Sequence, residues 1–320
     1  MNNYSGAVFG FIMVFIYNFL DAGKEVYSGF LVQSAHPMMV TCIVFSTVLV
    51  FFQLFCGLRL PKEYLRPYRT WKPLLALNIT TAGSWITFFY CLKYLEPASA
   101  SAIITGVAPL LMVMIVPFFF RTAKREYRWL LLTGIACSSL WLGIISLQEG
   151  RNTYNLSVYE VVMGIGLSVA CALFSIFSNI LSKKLSEDEC RPESIMAHRF
   201  YLTVIVTLLF SFQLQDVHSD MQNLYPGVLL LAILGLIIPL WCLQYGIKSL
   251  PPSRVMVLIS VSPVFTFGFQ IFDPRLSPTA SSFVAILLIC FFSLAAEVWR
   301  IQHSGQVNNG YHRVSEDRNG

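Results

Sequence analysis

The chain has 320 residues, of which 56% are hydrophobic and only 12% charged, with a mean hydropathy of +0.64. A soluble domain carries about 25% charged residues to wet its surface, so this surface faces lipid instead. The net charge of +5 falls in short clusters between long apolar segments, a distribution that argues against nucleic-acid binding.

A transmembrane helix needs about 20 predominantly apolar residues to cross a hydrocarbon core of about 30 Å. Charge-free stretches of that scale recur in chain order. Span 1 is Met1–Asp21, with Asp21 closing it, span 2 Val26–Leu58, span 3 Pro73–Leu92, span 4 Pro97–Phe120 and span 5 Trp129–Gln148. Span 6 is Val161–Ser182, span 7 Phe200–Gln215, span 8 Met221–Ile247, span 9 Val255–Phe272 and span 10 Leu276–Ala296. The helix of span 1 is expected to run on to about Gly29, and that of span 2 to begin near His36. The segments are apolar on all sides, without the alternation of barrel strands. The fold class is therefore all-α, a polytopic membrane protein of about ten helices. The first twenty residues carry no charge, so no basic region precedes the apolar stretch as in a signal peptide.

Lysines and arginines are retained on the cytoplasmic side. With the N-terminus inside, the inner connections hold Arg59, Lys62, Arg66, Arg69 and Lys72, then Arg121, Lys124, Arg125 and Arg128. Lys183, Lys184, Arg191, Arg199, Lys248, Arg254, Arg300, Arg313 and Arg318 follow on the same side. Only Lys24, Lys93, Arg151 and Arg275 fall outside, eighteen against four. Both termini are expected to be cytoplasmic, in a cell (inner) membrane. Trp71, Trp129 and Trp299 beside inner basic clusters suit the headgroup level. The polar tail, residues 303–320, is expected to be disordered.

Eight cysteines include no C-x-x-C pair and sit mostly in apolar runs, which points to buried free thiols and away from a metal site. Asn155-Leu156-Ser157 is a glycosylation sequon in an outer connection.

The ends of spans 3 and 8 share a pattern: Tyr90-x-x-Lys93-x-Leu95-x-Pro97 reappears as Tyr245-x-x-Lys248-x-Leu250-x-Pro252. Each copy enters an apolar helix broken by a proline, Pro109 and Pro263, 12 and 11 residues on. The match relates spans 1–5 (residues 1–150) to spans 6–10 (residues 151–302). Five is odd, so the second half enters the membrane inverted, the architecture of many alternating-access transporters.

These segments, Tyr90–Pro109 and its echo Tyr245–Pro263, resemble the drug/metabolite transporter superfamily, in particular its ten-helix EamA-type members. The likeness spans roughly residues 6–300, and His198-Arg199-Phe200 resembles the family's arginine near the start of helix 7. His36-Pro37-Met38 lacks a matching arginine, and Arg254 stands where the first junction has small residues. The resemblance implies a central cavity lined by helices 1, 3, 4, 6, 8 and 9.

Charged groups at membrane depth are costly and often mark a transport path. Span 1 offers Tyr17, Asn18 and Asp21, with Lys24 and Glu25 on the face of Asp21. Asp21 is the candidate for an amine or a proton, against a reading in which this end emerges into water with Asp21 paired to Lys24. Trp85 and Tyr90, with Trp241, Gln244 and Tyr245 in the other half, are aromatic and polar groups able to sandwich a solute. Ser175 and Asn179 on span 6 add hydrogen-bonding capacity. In span 4, Ala98, Ala102 and Gly106 suit helix packing, with Ser99 and Ser101 as a polar lining in reserve. Arg199 suits phosphate anchoring at the membrane surface better than binding an anionic solute.

The reading is a secondary-active carrier of a small polar organic metabolite, an amino acid or related compound, with no cofactor, no metal and no catalytic residues. Its partners are that solute and the bilayer, and a homodimer stays open. Nucleotide-like cargo, a nucleotide sugar or S-adenosylmethionine, is the alternative. A membrane enzyme is the reading of a different class, but its five histidines form no ligand pair. No G-x-x-x-x-G-K-[ST] motif supports direct ATP coupling.

Overall fold

The computed structural model describes residues 3–119, 129–154, 156–212, 225–259, 261–276, 279–295 and 298–299, which are helical with no strand. In chain order the helices are α1 (Asn3–Ser34), α2 (Pro37–Arg59), the short α3 (Pro61–Tyr64), α4 (Trp71–Tyr94), α5 (Pro97–Phe119), α6 (Trp129–Tyr154) and α7 (Val158–Glu187). Then come α8 (Pro192–His198), α9 (Tyr201–Phe212), α10 (Tyr225–Ser249), α11 (Pro252–Ile259), α12 (Ser262–Gln270) and α13 (Ala280–Ala295). Among the described residues α1, α2, α4, α7, α8–α9 and α10 are long and apolar enough to cross a membrane, and α5, α6 and α13 contain shorter apolar segments. Together with α11 and α12, these helices fall on the segments read from the sequence as spans.

The breaks follow from local chemistry. Ser157 and Glu160 close a capping box at the start of α7, which satisfies donors the first turn leaves free. Proline stands at N1 of α2 and α8, where its missing N–H costs nothing. At the two tyrosine junctions the backbone repeats itself. Leu95 is extended at φ −130°, ψ 150° and donates to Cys91 O, while Leu250 is extended at φ −119°, ψ 154° and donates to Gly246 O. Tyr90 and Tyr245, Lys93 and Lys248, and Pro97 and Pro252 are all 155 residues apart. The same spacing separates the starts of α2 and α8, at Pro37 and Pro192.

Three expectations change. α1 extends to Ser34, and span 7 begins at Pro192, eight residues before the expected Phe200. A charge-free criterion stops at Arg199, but here Glu193 and Arg199 lie inside the span and are buried. Pro109 does not break α5, which runs past it to Phe119; in the second copy α11 is described to Ile259 and α12 begins at Ser262, with Pro263 in its first turn. The tail at 303–320 and the sequon asparagine at 155 lie outside the described residues.

Packing is set by inward and outward faces. On α1 the exposed Phe11, Phe15 and Phe19 form an apolar stripe at i, i+4 spacing, while Tyr17, Asp21, Lys24 and Ser28 are buried on the opposite side. On α7 the buried Ser168, Cys171, Ser178 and Ser182 follow helical spacing inward, and Val162 and Met163 face out. α1 packs along the last half of α10 and on α12, α7 packs along α4 and α5, and α2 lies against α8 and α9. Phe45, Phe52, Phe89 and Phe200 fill the main core between them. All eight cysteines are free.

Candidate functional site

A cavity of about 100 Å³ lies inside the bundle, walled by α1, α4, α5, α7, α10, α11 and the ends of α8–α9 and α12. Its polar wall begins with Tyr17, Asp21, Lys24 and Glu25 of α1. Lys24 Nζ lies 2.7 Å from Asp21 Oδ1, with both side chains almost fully buried, and 4.4 and 4.8 Å from the ring centres of Phe88 and Trp85. The ammonium is thus held by a carboxylate and two aromatic faces. Glu25 Oε2 accepts a hydrogen bond of 2.6 Å from Thr266 Oγ1 on α12.

Arg199 also lines the cavity. It stands where α8 ends and α9 has not begun, and broken helices are tolerated in membranes only where protein groups satisfy the freed backbone. Asn78 on α4 does this. Its Nδ2 donates to His198 O at 2.8 Å and its Oδ1 accepts from Leu202 N at 3.3 Å, while Gln53 Nε2 donates to Ala197 O at 2.6 Å. The guanidinium donates to Ser178 Oγ at 2.7 Å, Gln244 Oε1 at 3.2 Å and Thr81 Oγ1 at 3.3 Å. Every one of these partners is neutral. Ser84 and Ser175, 2.7 Å apart, continue the polar wall between α4 and α7.

Of the residues singled out in the sequence, Tyr17, Asp21, Trp85, Ser175 and Asn179 line the cavity. Gln244 touches it through Arg199. Asn18 instead ties α1 to α11, its Nδ2 donating to Leu258 O at 2.6 Å. Tyr90 packs edge-on against His36, with ring centres 6.0 Å apart. Trp241 Nε1 and Tyr245 Oη both donate to Glu193 Oε1, at 3.2 and 2.6 Å. These four tie helices to one another and do not wall the cavity.

Two expectations about charge are corrected. Asp21 and Lys24 are paired as foreseen, but they do not emerge into water, being 5% and 4% exposed. Arg199 is 7% exposed and is no surface anchor. Removing both from the connection count turns eighteen against four into seventeen against three, so the bias that favours an inner N-terminus survives. Glu25, Ser84, Ser178 and Thr105 also line the cavity and were not chosen as site residues. The i, i+3 and i, i+4 spacing of Tyr17, Asp21 and Lys24 was the signal for the charged face. Gly106 serves packing: a Cβ there would lie 2.5 Å from Ile289 Cγ2 on α13.

Fold and site together define a multi-pass helical membrane protein with a polar chamber among its spans. Residues 162–296 match the model of the EamA-like transporter family, in line with the resemblance read from the two tyrosine junctions. A solved structure described only as "Crystal structure of protein" is 17% identical with a TM-score of 0.61, covering 93% of this chain and 98% of its own. It is one of fourteen matching structure chains, and at that identity the likeness shows the fold alone. No curated protein matches.

Proposed function

We propose that the chain is a secondary-active carrier that moves a small polar organic metabolite, an amino acid or related compound, by alternating access between two inverted five-span halves. Both termini face the cytoplasm of a cell membrane in this reading. The observation that carries it is the composition of the cavity wall. Trp85, Phe88 and Ile104 of the first half stand on it with Leu240, Leu243 and Ile259, which follow them at the 155-residue spacing of the tyrosine junctions. A chamber on the pseudo-two-fold between halves is where such carriers hold their solute.

The contacts flanking the chamber support the reading. A Cβ on Gly10 would lie 2.7 Å from Ser249 Cβ and 3.0 Å from Leu250 Cγ, and one on Gly164 would lie 2.9 Å from both Tyr94 Cβ and Leu95 Cγ. Tyr94 and Leu95 precede Ser249 and Leu250 by the same 155 residues. With five spans between them, the starts of α1 and α7 belong to opposite membrane faces. One glycine-backed closure then seals each end, and opening one while keeping the other is the alternating-access cycle.

Chamber size favours the smaller cargo. Drug-sized ligands occupy pockets of about 300–1,000 Å³, so 100 Å³ suits an amino acid better than a nucleotide sugar. The test is uptake of labelled amino acids into proteoliposomes, with counterflow, alongside thiol labelling of single cysteines at positions 90 and 245. Saturable counterflow and labelling from opposite faces are expected. Labelling of both positions from one face would remove the inverted arrangement, and product formation without translocation would make the protein an enzyme.

A further inference from the structure

Asp21, Lys24, Glu25 and Arg199 face one cavity, and they do not all fall into ion pairs. Asp21 and Lys24 neutralise each other at 2.7 Å. Arg199 and Glu25 remain, one of each sign, and among the described residues neither makes an ion pair. Arg199 donates to two hydroxyls and an amide and touches the Met196 sulfur, none of them charged, and Glu25 receives the hydroxyl of Thr266. Both are nine-tenths buried or more. Burying a charge without a counter-charge is expensive, and neutral hydrogen bonds offset only part of the cost. The cavity wall thus carries two acidic and two basic side chains, of which one acid and one base are left without a partner of opposite charge.

We propose that Arg199 and Glu25 bind the two ends of a zwitterion, the guanidinium taking the α-carboxylate and the Glu25 carboxylate taking the α-ammonium of an amino acid. The inference rests on the carrier reading above and names the solute's charge pattern within it. A guanidinium offers paired N–H groups whose geometry matches a carboxylate. The hydroxyls and amide around Arg199 hold the fork in place, so it is oriented before the solute arrives. An ammonium has three donors and suits Glu25. A solute of one sign would satisfy one of these groups and leave the other buried without a counter-charge, which discriminates against it. The side chain of the solute then rests on Trp85, Phe88, Leu240 and Leu243.

The experiment uses the purified full chain and reads ligand-induced thermal stabilisation and its midpoint concentration. L-leucine, L-phenylalanine and L-serine are each compared with their carboxamides and their deaminated acids. At least one zwitterion is expected to stabilise the protein, with both of its single-charge analogues tenfold weaker or more. Glu25→Gln is expected to erase the preference for the amino acid over the deaminated acid, and Arg199→Gln the preference over the carboxamide. The analogue series on the unmodified chain decides the matter if a variant fails to fold. Equal binding of the deaminated acid removes the role of Glu25, equal binding of the carboxamide removes that of Arg199, and no response to any of the amino acids overturns the inference. Selective binding without proteoliposome uptake would sink the carrier reading and leave the zwitterion site standing. Amino-acid uptake unchanged in both variants would do the reverse.

Discussion

The two halves of the chain contribute unlike chemistry to one chamber. Their apolar contributions correspond position by position: Trp85, Phe88 and Ile104 against Leu240, Leu243 and Ile259. Their charges do not. Asp21, Lys24 and Glu25 all come from α1, and the residues 155 positions on are Ile176, Asn179 and Ile180. Arg199 of the second half corresponds to Val44. Under alternating access the two halves exchange environments, so the scaffold that moves gains from symmetry. A solute with a positive and a negative end gains from its absence, because only an unsymmetrical set of charges can orient it.

Making the first half more like the second is the most severe way to break this contrast. Lys24→Asn installs the residue found at the matching position of α7 and strands Asp21 as a buried carboxylate. Removing one partner of a buried pair costs ~3–5 kcal/mol, so a large fall in melting temperature is expected. Asp21→Asn together with Lys24→Asn should recover most of it, and a double-mutant cycle on the purified protein measures the coupling. Additive losses would mean that the pair at 2.7 Å contributes nothing as a pair. In uptake assays Asp21→Asn alone should also impair transport while the protein still inserts.

The tyrosine junctions offer a second, smaller contrast. Tyr245 Oη donates to the buried Glu193 at 2.6 Å, whereas Tyr90 meets His36 through its ring. A hydrogen bond to a charged group contributes ~1.5–3 kcal/mol. Tyr245→Phe should therefore destabilise by about that amount, and Tyr90→Phe by less than ~0.5 kcal/mol, as an ordinary half-buried change does. Equal effects in thermal unfolding would show that the Glu193 bond carries no weight.

The closures test whether the symmetry is one of motion as well as of sequence. Gly10→Val and Gly164→Val each place carbon where neighbours already lie within 3.0 Å, and overpacking of this kind costs ~1–3 kcal/mol. The two variants should shift accessibility in opposite senses, so that a cysteine at Ser175 becomes reactive to a membrane-impermeant thiol reagent from one face in the first and from the other face in the second. The same face in both would argue against paired gates.

Hydropathy and the recurrence of Tyr-x-x-Lys-x-Leu-x-Pro sufficed to read the helical, multi-pass class and the two junctions, because lipid forces long apolar helices and the leucine of each copy is extended where one helix ends and the next begins. Half of the chosen site residues lie elsewhere. Aromatic residues with polar tips serve equally as walls and as fasteners, and Trp241 and Tyr245 turned out to fasten because Glu193, hidden by the assumption that charge ends a span, lies within reach of both. Arg199 was misplaced for the same reason. Its burial depends on Asn78 and Gln53 satisfying a helix break, a three-helix arrangement that no local window displays.

The smallest effect is expected where charge meets water. Arg275 and Asp273 form an ion pair in the connection between α12 and α13, and Arg275 also reaches Gln33 Oε1 at 3.1 Å and covers the Phe30 ring of α1 at 4.5 Å. Partial burial pushes the Asp273 carboxyl upward, but the hydrogen bonds and charge of Arg275 outweigh it and hold the group below its ordinary range. A depressed carboxyl contributes stability that is complete above its unfolded-state pKa and fades as the pH falls towards its folded-state value. Arg275 is about one-third exposed, so solvent screening limits the pair to no more than ~1 kcal/mol. Asp273→Asn should lower the melting temperature slightly at neutral pH, and the difference from the unmodified chain should vanish in acid below the ordinary carboxylate range. The Lys24 and Asp21 pair differs in kind: salt that screens the rim pair should leave the coupling in the cavity untouched. A salt titration of both double-mutant cycles checks this, and equal sensitivity would mean that the chamber is as wet as the rim.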